Sequence, residues 1–540
     1  MKKITLSLFA SFFLLLSFAQ PGSQSNIMNI NSFLPFQGYD ETTTHFGKGE
    51  YQIFYDNVDG VFDKPFIIVE GFDPDDSNTI DVIYNYLDYN GGANNLLDDL
   101  RNQGLDIVVL NFPTYTRSDD NTIIKGGADY IERNGLVLVN LLELLKPQLA
   151  PQNDFIVMGV SMGGLVSRYA LSYMEQNAMN HRTGIWFSFD SPHRGANVPI
   201  SIQYLINYIA EFQNNADMAA LRDNMLNVPA AKQMLVDHYS AHLQTSSNYL
   251  QNNSIQLPTP AANFRSTFVN TMNTLGFPTQ TRKLAIANGS LNATMVQSPG
   301  TQIINTNLSL NGQNINIKLY FTPNANISNF QVTRVGTVII IPITLFSANA
   351  ASPSTSAGFD SAPGGTLLFN GLFGPVTDPV VQQIINDIQI DSFSFIPTLS
   401  SLAIENTNWY QNISISSSTP FDRYIGPTIN EPHITLNPQN IAFILEEISN
   451  HFLNIAEVQN QELVIYNNPT HDFIQFSLSN QNVQNVQVEL FDLTGQLLLK
   501  RNLIDFSHEI INIECPSKNG LYILRVNADG KILSKKIIVK

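Results

Sequence analysis

Between residues 64 and 200, short apolar runs alternate with longer stretches of helical spacing. Lys64 to Gly71 (KPFIIVEG) is apolar and ends in glycine, and Asp106 to Asn111 (DIVVLN), Phe155 to Met158 and Gly184 to Phe189 repeat the form. Such runs predict strands buried on both faces, as in a parallel sheet. Between them, Thr79 to Asn102, Gly127 to Leu149 and Gly163 to Gln176 are spaced as helices, with Leu136, Val139, Leu142 and Leu145 on one face of the second. Lys283 to Ala287 (KLAIA) supplies a fifth strand. The alternation predicts an α/β fold, a doubly wound and mostly parallel sheet covered by helices on both faces.

Two stretches break this rhythm. Residues 200–275 carry amphipathic helical spacing, with Tyr204, Ile206, Met218 and Leu221 among the apolar positions. They predict a helical insertion, either a lid over a site or a cap packed on the core. Residues 290–350, most clearly from 301 onward (INTNLSLNGQNINIKLYF, then VGTVIIIPITLF), alternate polar and apolar and predict inserted antiparallel strands. The larger domain is expected to span 20–460. A boundary falls near 455–462, where a helix ending around Leu453 gives way to polar residues. Leu463 to Lys540 then alternates as the strands of a small all-β sandwich do.

Composition narrows the setting. Lys2 and Lys3, the apolar run Leu6 to Leu16, and small Ser17 and Ala19 form a signal peptide over 1–19, cleaved after Ala19. That run is short for a membrane span, and no later segment is long and apolar enough for one. A net charge of -17 argues against a nucleic-acid partner, which needs a surplus of Lys and Arg. Cys515 is the only cysteine, so no intrachain disulfide and no multi-cysteine metal site can form.

The strongest chemical motif is Gly159-Val160-Ser161-Met162-Gly163-Gly164, lying between a predicted strand (FIVM) and a predicted helix (LVSRYALSYM). A turn this sharp tolerates only small neighbours and lifts Ser161 Oγ to the head of a helix, whose free N–H groups can stabilise an oxyanion. Here the chain resembles the α/β-hydrolase superfamily, in particular its lipase-like members. Ser161 to Tyr169 (SMGGLVSRY) resembles their nucleophile elbow, and Phe187 to Ala196 (FSFDSPHRGA) their next strand and its turn. The resemblance covers 64–200 well and 280–450 loosely. It implies an ester-cleaving serine hydrolase, a lipase or carboxylesterase, that needs no metal or organic cofactor.

The resemblance also implies the remaining roles. The oxyanion hole should use the N–H groups of Met162 and of Phe72, in the loop Glu70-Gly71-Phe72-Asp73-Pro74 where related lipases carry His-Gly. The general base should be a late histidine, and of nine histidines His433, on the loop Glu431-Pro432-His433-Ile434, fits best. His193 is expected to brace the elbow. Four aspartates remain open as the acid. Asp360 lies in the Gly/Pro-rich loop Gly358 to Gly365 and ranks first by chain order and loop character. Asp391 precedes Phe395-Ile396-Pro397, Asp190 ends the strand beside the nucleophile, and Asp422 is near His433 in sequence. His238 and His242 are spaced four apart, as metal ligands on a helix are, but the glutamate of a zincin is missing between them. Other acyl-transfer chemistry, or a non-catalytic surface binder on the same scaffold, are the alternatives.

A second resemblance concerns residues 463–540. Tyr466-Asn467-Asn468-Pro469, Val488 to Gly495 (VELFDLTG), Asn519 to Val526 (NGLYILRV) and Lys535 to Val539 (KKIIV) resemble the C-terminal sorting domain of type IX (Por) secretion. It implies that machinery as a partner, and release into the medium or attachment to the cell surface. A carbohydrate-binding or adhesive sandwich is the alternative.

Overall fold

A computed structural model describes residues 20–310, 312–338, 343–373, 378–414, 417–459, 463–478, 485–492, 496–504, 510–528 and 531–540. The expected signal peptide lies outside the described residues. The chain forms two compact units that divide at Phe443/Ile444, inside the helix Pro438–Gln459 and upstream of the boundary expected at 455–462.

The first unit is built on a sheet whose strands in chain order begin with β1 (Met28–Asn31), β2 (Lys48–Phe54), β3 (Pro65–Val69) and β4 (Asp106–Asn111). They continue with β5 (Phe155–Val160), β6 (Thr183–Phe189) and β7 (Arg282–Ile286). β1 and β2 are antiparallel additions at one edge, while β3 pairs parallel with both β4 and β5, and β5–β6 and β6–β7 are parallel. Every residue of β3, β4 and β5 is buried. Their apolar runs follow from that burial: Ile67, Val69, Val108, Leu110 and Val157 enter the core cluster with helices α3 (Ile131–Leu145) and α4 (Met162–Gln176). The alternate set, Phe66, Ile68, Ile107 and Val109, is equally buried on the opposite face.

The helix expected over Thr79 to Asn102 is instead two short helices, α1 (Ile80–Tyr84) and α2 (Leu96–Asn102). Asn90, Gly91 and Gly92 all take positive φ, which turns the chain through a four-residue loop between the short paired segments Asp88–Tyr89 and Asn94–Asn95.

The insertions follow. The helical one contains α5 (Ile200–Phe212), α6 (Ala216–Leu221) with a π-turn over Arg222–Leu226, and α7 (Pro229–Met234). A helix α8 (Arg265–Leu275) then packs on α4 before β7. The β insertion is a four-stranded antiparallel sheet, β8 (Gln302–Leu310), β9 (Gln313–Tyr320), β10 (Phe330–Thr337) and β11 (Thr344–Ala350). Residues 200–210 of α5 are all buried, and α5 packs against β9, β10 and β11, with Tyr208 stacked on Phe346 at 4.6 Å between ring centres. The two insertions thus share a second hydrophobic core. After a short pair, β12 (Gly364–Leu368) with β13 (Ser392–Pro397), β14 (Arg423–Ile425) joins β7 in parallel and completes the main sheet. The order β1-β2-β4-β3-β5-β6-β7-β14, mostly parallel and interrupted only by insertions, is an α/β-hydrolase fold.

The second unit contains two antiparallel sheets of three and four strands between Leu463 and Val539. Ile474, Phe476, Val488, Leu490, Leu524, Val526 and Ile537 from both sheets form one core, the interior of a β-sandwich.

Candidate active site

Ser161 is the single residue between β5 and α4, with φ 54° and ψ -122°. A side chain rarely adopts this backbone, and the turn persists only because its surroundings enforce it. Glycines make the close approach possible. A Cβ on Gly159 would collide with the Gly163 carbonyl, one on Gly163 with the carbonyls of Val69 and Glu70, and one on Gly164 with Ser191 Oγ. The Ser161 N–H donates to the Phe189 carbonyl at 2.9 Å, so the elbow is registered on β6.

His433 approaches from a loop after β14, with Nε2 2.8 Å from Ser161 Oγ and Nδ1 2.7 Å from Asp190 Oδ2. The Asp190 side chain is fully buried and that of His433 only 8% exposed. Asp190 directly follows β6; its N–H donates to the Ile286 carbonyl at 2.7 Å, and its Oδ1 accepts the Asn288 N–H at 3.1 Å. The Phe395 ring meets the imidazole edge-on at 5.1 Å. An acceptor-only carboxylate at Nδ1 selects the tautomer with its proton there, which leaves Nε2 to accept from the Ser161 hydroxyl.

Asp360, ranked first as the acid, is not the carboxylate that bonds His433. Asp360 is buried in a turn of 3-10 helix, where Oδ1 accepts from Asn197 Nδ2 at 3.0 Å and Oδ2 from the Thr322 N–H and hydroxyl at 2.8 and 2.9 Å. These bonds tie the exit of the β insertion to the chain entering α5. The Gly-rich loop around it does reach the site, but through glycine: a Cβ on Gly365 would collide with the Asp190 carboxylate. Asp391 is exposed, and Asp422, also exposed, accepts from the Lys283 N–H at 2.7 Å and pairs with its Nζ at 3.4 Å.

Met162 heads α4, and Gly71 packs beside the nucleophile: a Cβ there would lie 3.3 Å from Ser161 Cβ and 3.9 Å from its Oγ. The loop carrying Phe72 therefore passes next to the hydroxyl. Glu70, before it, is fully buried and accepts from the Phe112 N–H at 2.7 Å. Burial pushes its carboxyl well above the ordinary range, against the lowering effect of that N–H.

The other candidate histidines are engaged. His193 Nε2 meets Ser188 Oγ at 2.7 Å, the ring lies against Trp186, Phe277 and Phe421, and burial keeps it neutral. His238 and His242 flank a 3-10 turn rather than lying on an α-helix. His238 bonds Ser240 and the Leu226 carbonyl, and His242 bonds Asp237 and the Ile255 carbonyl, so all four ring nitrogens are partnered. Among the described residues no group of three or more His, Cys, Asp or Glu is placed to hold a metal ion.

A cavity of about 530 Å³ opens on Ser161 and His433. Its walls are mainly apolar: Phe72, Phe395 and Ile434 near the site, Met218, Leu221, Met225 and Leu235 from the helical insertion, and Leu367, Leu372 and Val381 from the chain after the β insertion. Asp75, Tyr86, Asp217 and Asn224 bring polar groups to it besides the site itself.

Three solved structures illustrate what the chain is similar to. Dimeric latent PorU from Porphyromonas gingivalis is 24% identical over 14% of this chain and 9% of its own, with a TM-score of 0.12. Est1E from Butyrivibrio proteoclasticus is 14% identical over 31% of this chain and 51% of its own, with a TM-score of 0.20. The ester-hydrolase EH1AB1 from the metagenome of Lake Arreo is 9% identical over 50% of this chain and 67% of its own, with a TM-score of 0.25. The chain spans only about half the length of Est1E and a tenth of PorU. The strand order and the elbow, not these likenesses, define the fold. No curated protein matches the chain in sequence. No helix among the described residues is long and apolar enough to cross a membrane. Residues 464–540 match the family model of the secretion system C-terminal sorting domain, which marks this α/β-hydrolase-fold chain for export by type IX secretion to the medium or the cell surface.

Proposed function

We propose that the protein is an exported carboxylic-ester hydrolase in which Ser161 is the nucleophile, His433 the general base and Asp190 the acid. The continuous path Ser161 Oγ, His433 Nε2, His433 Nδ1, Asp190 Oδ2, with links of 2.8 and 2.7 Å, carries this reading. His433 takes the Ser161 proton as Oγ attacks the ester carbonyl, and Asp190 stabilises the imidazolium that forms. The N–H groups of Met162 and Phe72 receive the oxyanion, where one donor is typically worth about 3–4 kcal/mol of transition-state stabilisation. His433 then protonates the departing alcohol, the Ser161 acyl ester remains, and a water activated by His433 releases the acid. This sequence needs no metal or organic cofactor. The aliphatic cavity supports an acyl chain as the group held on the enzyme.

A fluorophosphonate probe tests the proposal directly. Wild-type protein should be labelled and should hydrolyse p-nitrophenyl esters in preference to peptides, and Ser161→Ala should lose both properties. A folded wild type that resists the probe and cleaves no ester would leave the surface-binder reading standing.

A further inference from the structure

Asn288, which follows β7 by two residues and is fully buried, touches neither Ser161 nor the imidazole in any recorded hydrogen bond, yet it bonds to both sides of the site. Its backbone N–H donates to Asp190 Oδ1 at 3.1 Å. Its carbonyl accepts from the Glu431 N–H at 2.9 Å. Its side-chain amide donates to Glu431 Oε2 at 3.1 Å and to the Thr435 carbonyl at 2.8 Å, and its Oδ1 accepts from the Thr435 N–H at 3.2 Å. One residue thus clasps the loop two residues before and two residues after His433.

That loop needs such a clasp. It arrives from far along the chain, and Ile434 sits at φ 60°, a conformation that costs free energy for a β-branched side chain. On its other side the loop pairs with Thr366, whose carbonyl accepts the His433 N–H at 2.9 Å and whose N–H donates to the Glu431 carbonyl at 2.9 Å. Asn437 also donates to both Glu431 oxygens, at 2.9 and 3.1 Å, which fixes the carboxylate to receive the Asn288 amide.

We infer that Asn288 is the positioning residue of the site: it fixes the distance between Asp190 and His433 by holding the acid with its backbone N–H and the His433 loop with its carbonyl and its side chain. This rests on the catalytic reading above. Asn288 makes no contact with the reacting atoms, so its loss should appear in kcat and not in KM. Displacement of a catalytic group by about 1 Å can cost on the order of 100-fold in rate.

The test begins with the wild type, because absence of both ester hydrolysis and fluorophosphonate labelling would overturn the catalytic reading and this inference with it. In an active enzyme, Asn288→Ala should lower kcat about 10- to 100-fold per folded molecule. KM should stay near the wild-type value, and the rate of fluorophosphonate labelling should fall in step. Asn288→Asp should be at least as impaired, because two carboxylates then face each other at 288 and 431. Adding Glu431→Gln restores a donor opposite an acceptor and should recover part of that loss. If Asn288→Ala does not fold, Glu431→Gln alone tests the same clasp by the same kcat readout. Variants that lose thermal stability but keep wild-type kcat and labelling rate per folded molecule would overturn the inference and leave the catalytic reading intact.

Discussion

Asp190 and Asp360 are both buried aspartates, and what they accept from separates them. Asp190 faces an imidazole and one backbone N–H; Asp360 faces an amide, a hydroxyl and a backbone N–H. Asp190→Asn should therefore lower kcat by roughly 10⁴-fold, because an amide at that place no longer selects the productive tautomer. Asp360→Ala should keep kcat per labelled site and cost about 1–3 kcal/mol in urea unfolding, since it strands the Thr322 and Asn197 donors. Glu70 yields a prediction of another kind. Its folded-state carboxyl is held well above its ordinary value of 4.5, so the folded protein keeps a proton that the unfolded chain releases. That contribution to stability is intact at pH below 4.5 and is lost as the pH rises toward the folded-state value. Glu70→Gln has no such loss, so its melting temperature relative to wild type should climb as the pH rises above 4.5; a difference flat with pH would refute the assignment. Ser161 was legible in the sequence because its signal is local: glycines at fixed offsets in a strand-turn-helix context. His433 was legible by chain order. The proposed acid was not, because Asp190 meets the His433 imidazole only through the pairing of β6 with β5 and through a loop more than two hundred residues away.

Among the elements, the buried strands were readable from their apolar runs, and β4 has the bounds DIVVLN read from the sequence. Strand burial depends on the run itself, whereas helix continuity depends on individual residues. The break at Asn90-Gly91-Gly92 was hidden inside a helical pattern because three left-handed residues outweigh the apolar spacing around them. The π-turn Arg222–Leu226 is a second local departure, and it faces the cavity through Met225 and Leu226. Met225 is half-buried there. Met225→Trp should shorten the space for an acyl chain without touching the elbow. The expected result is a fall of tenfold or more in kcat/KM for a p-nitrophenyl dodecanoate relative to the acetate, given about 1–3 kcal/mol per methylene excluded from an apolar pocket. Equal losses on both esters would place the acyl chain elsewhere. Similarly, α5 reads as amphipathic in sequence but is buried throughout residues 200–210, because the β insertion packs on it as well as α6 and the π-turn.

At the scale of the whole molecule, each unit has its own core, and only the larger one contains the Ser161 cavity. Truncation before Leu463 should therefore leave the protein associated with the cell, as read by comparing its amount in medium and cell fractions. Export of the truncated chain at the wild-type level would deny the sorting role to 464–540. Within the larger unit, Ser161, Asp190 and Asn288 stand at the ends of three neighbouring parallel strands, joined by main-chain hydrogen bonds from Ser161 to Phe189 and from Asp190 to Ile286. The roof over them comes from chain inserted after β6 and after β7. A side-chain cluster anchored in this way is insulated from the length and composition of what is spliced above it. Exchange of the inserted segments is therefore the natural route to redirecting this scaffold, because it would rebuild the walls of the cavity and leave the strand ends beneath them in place.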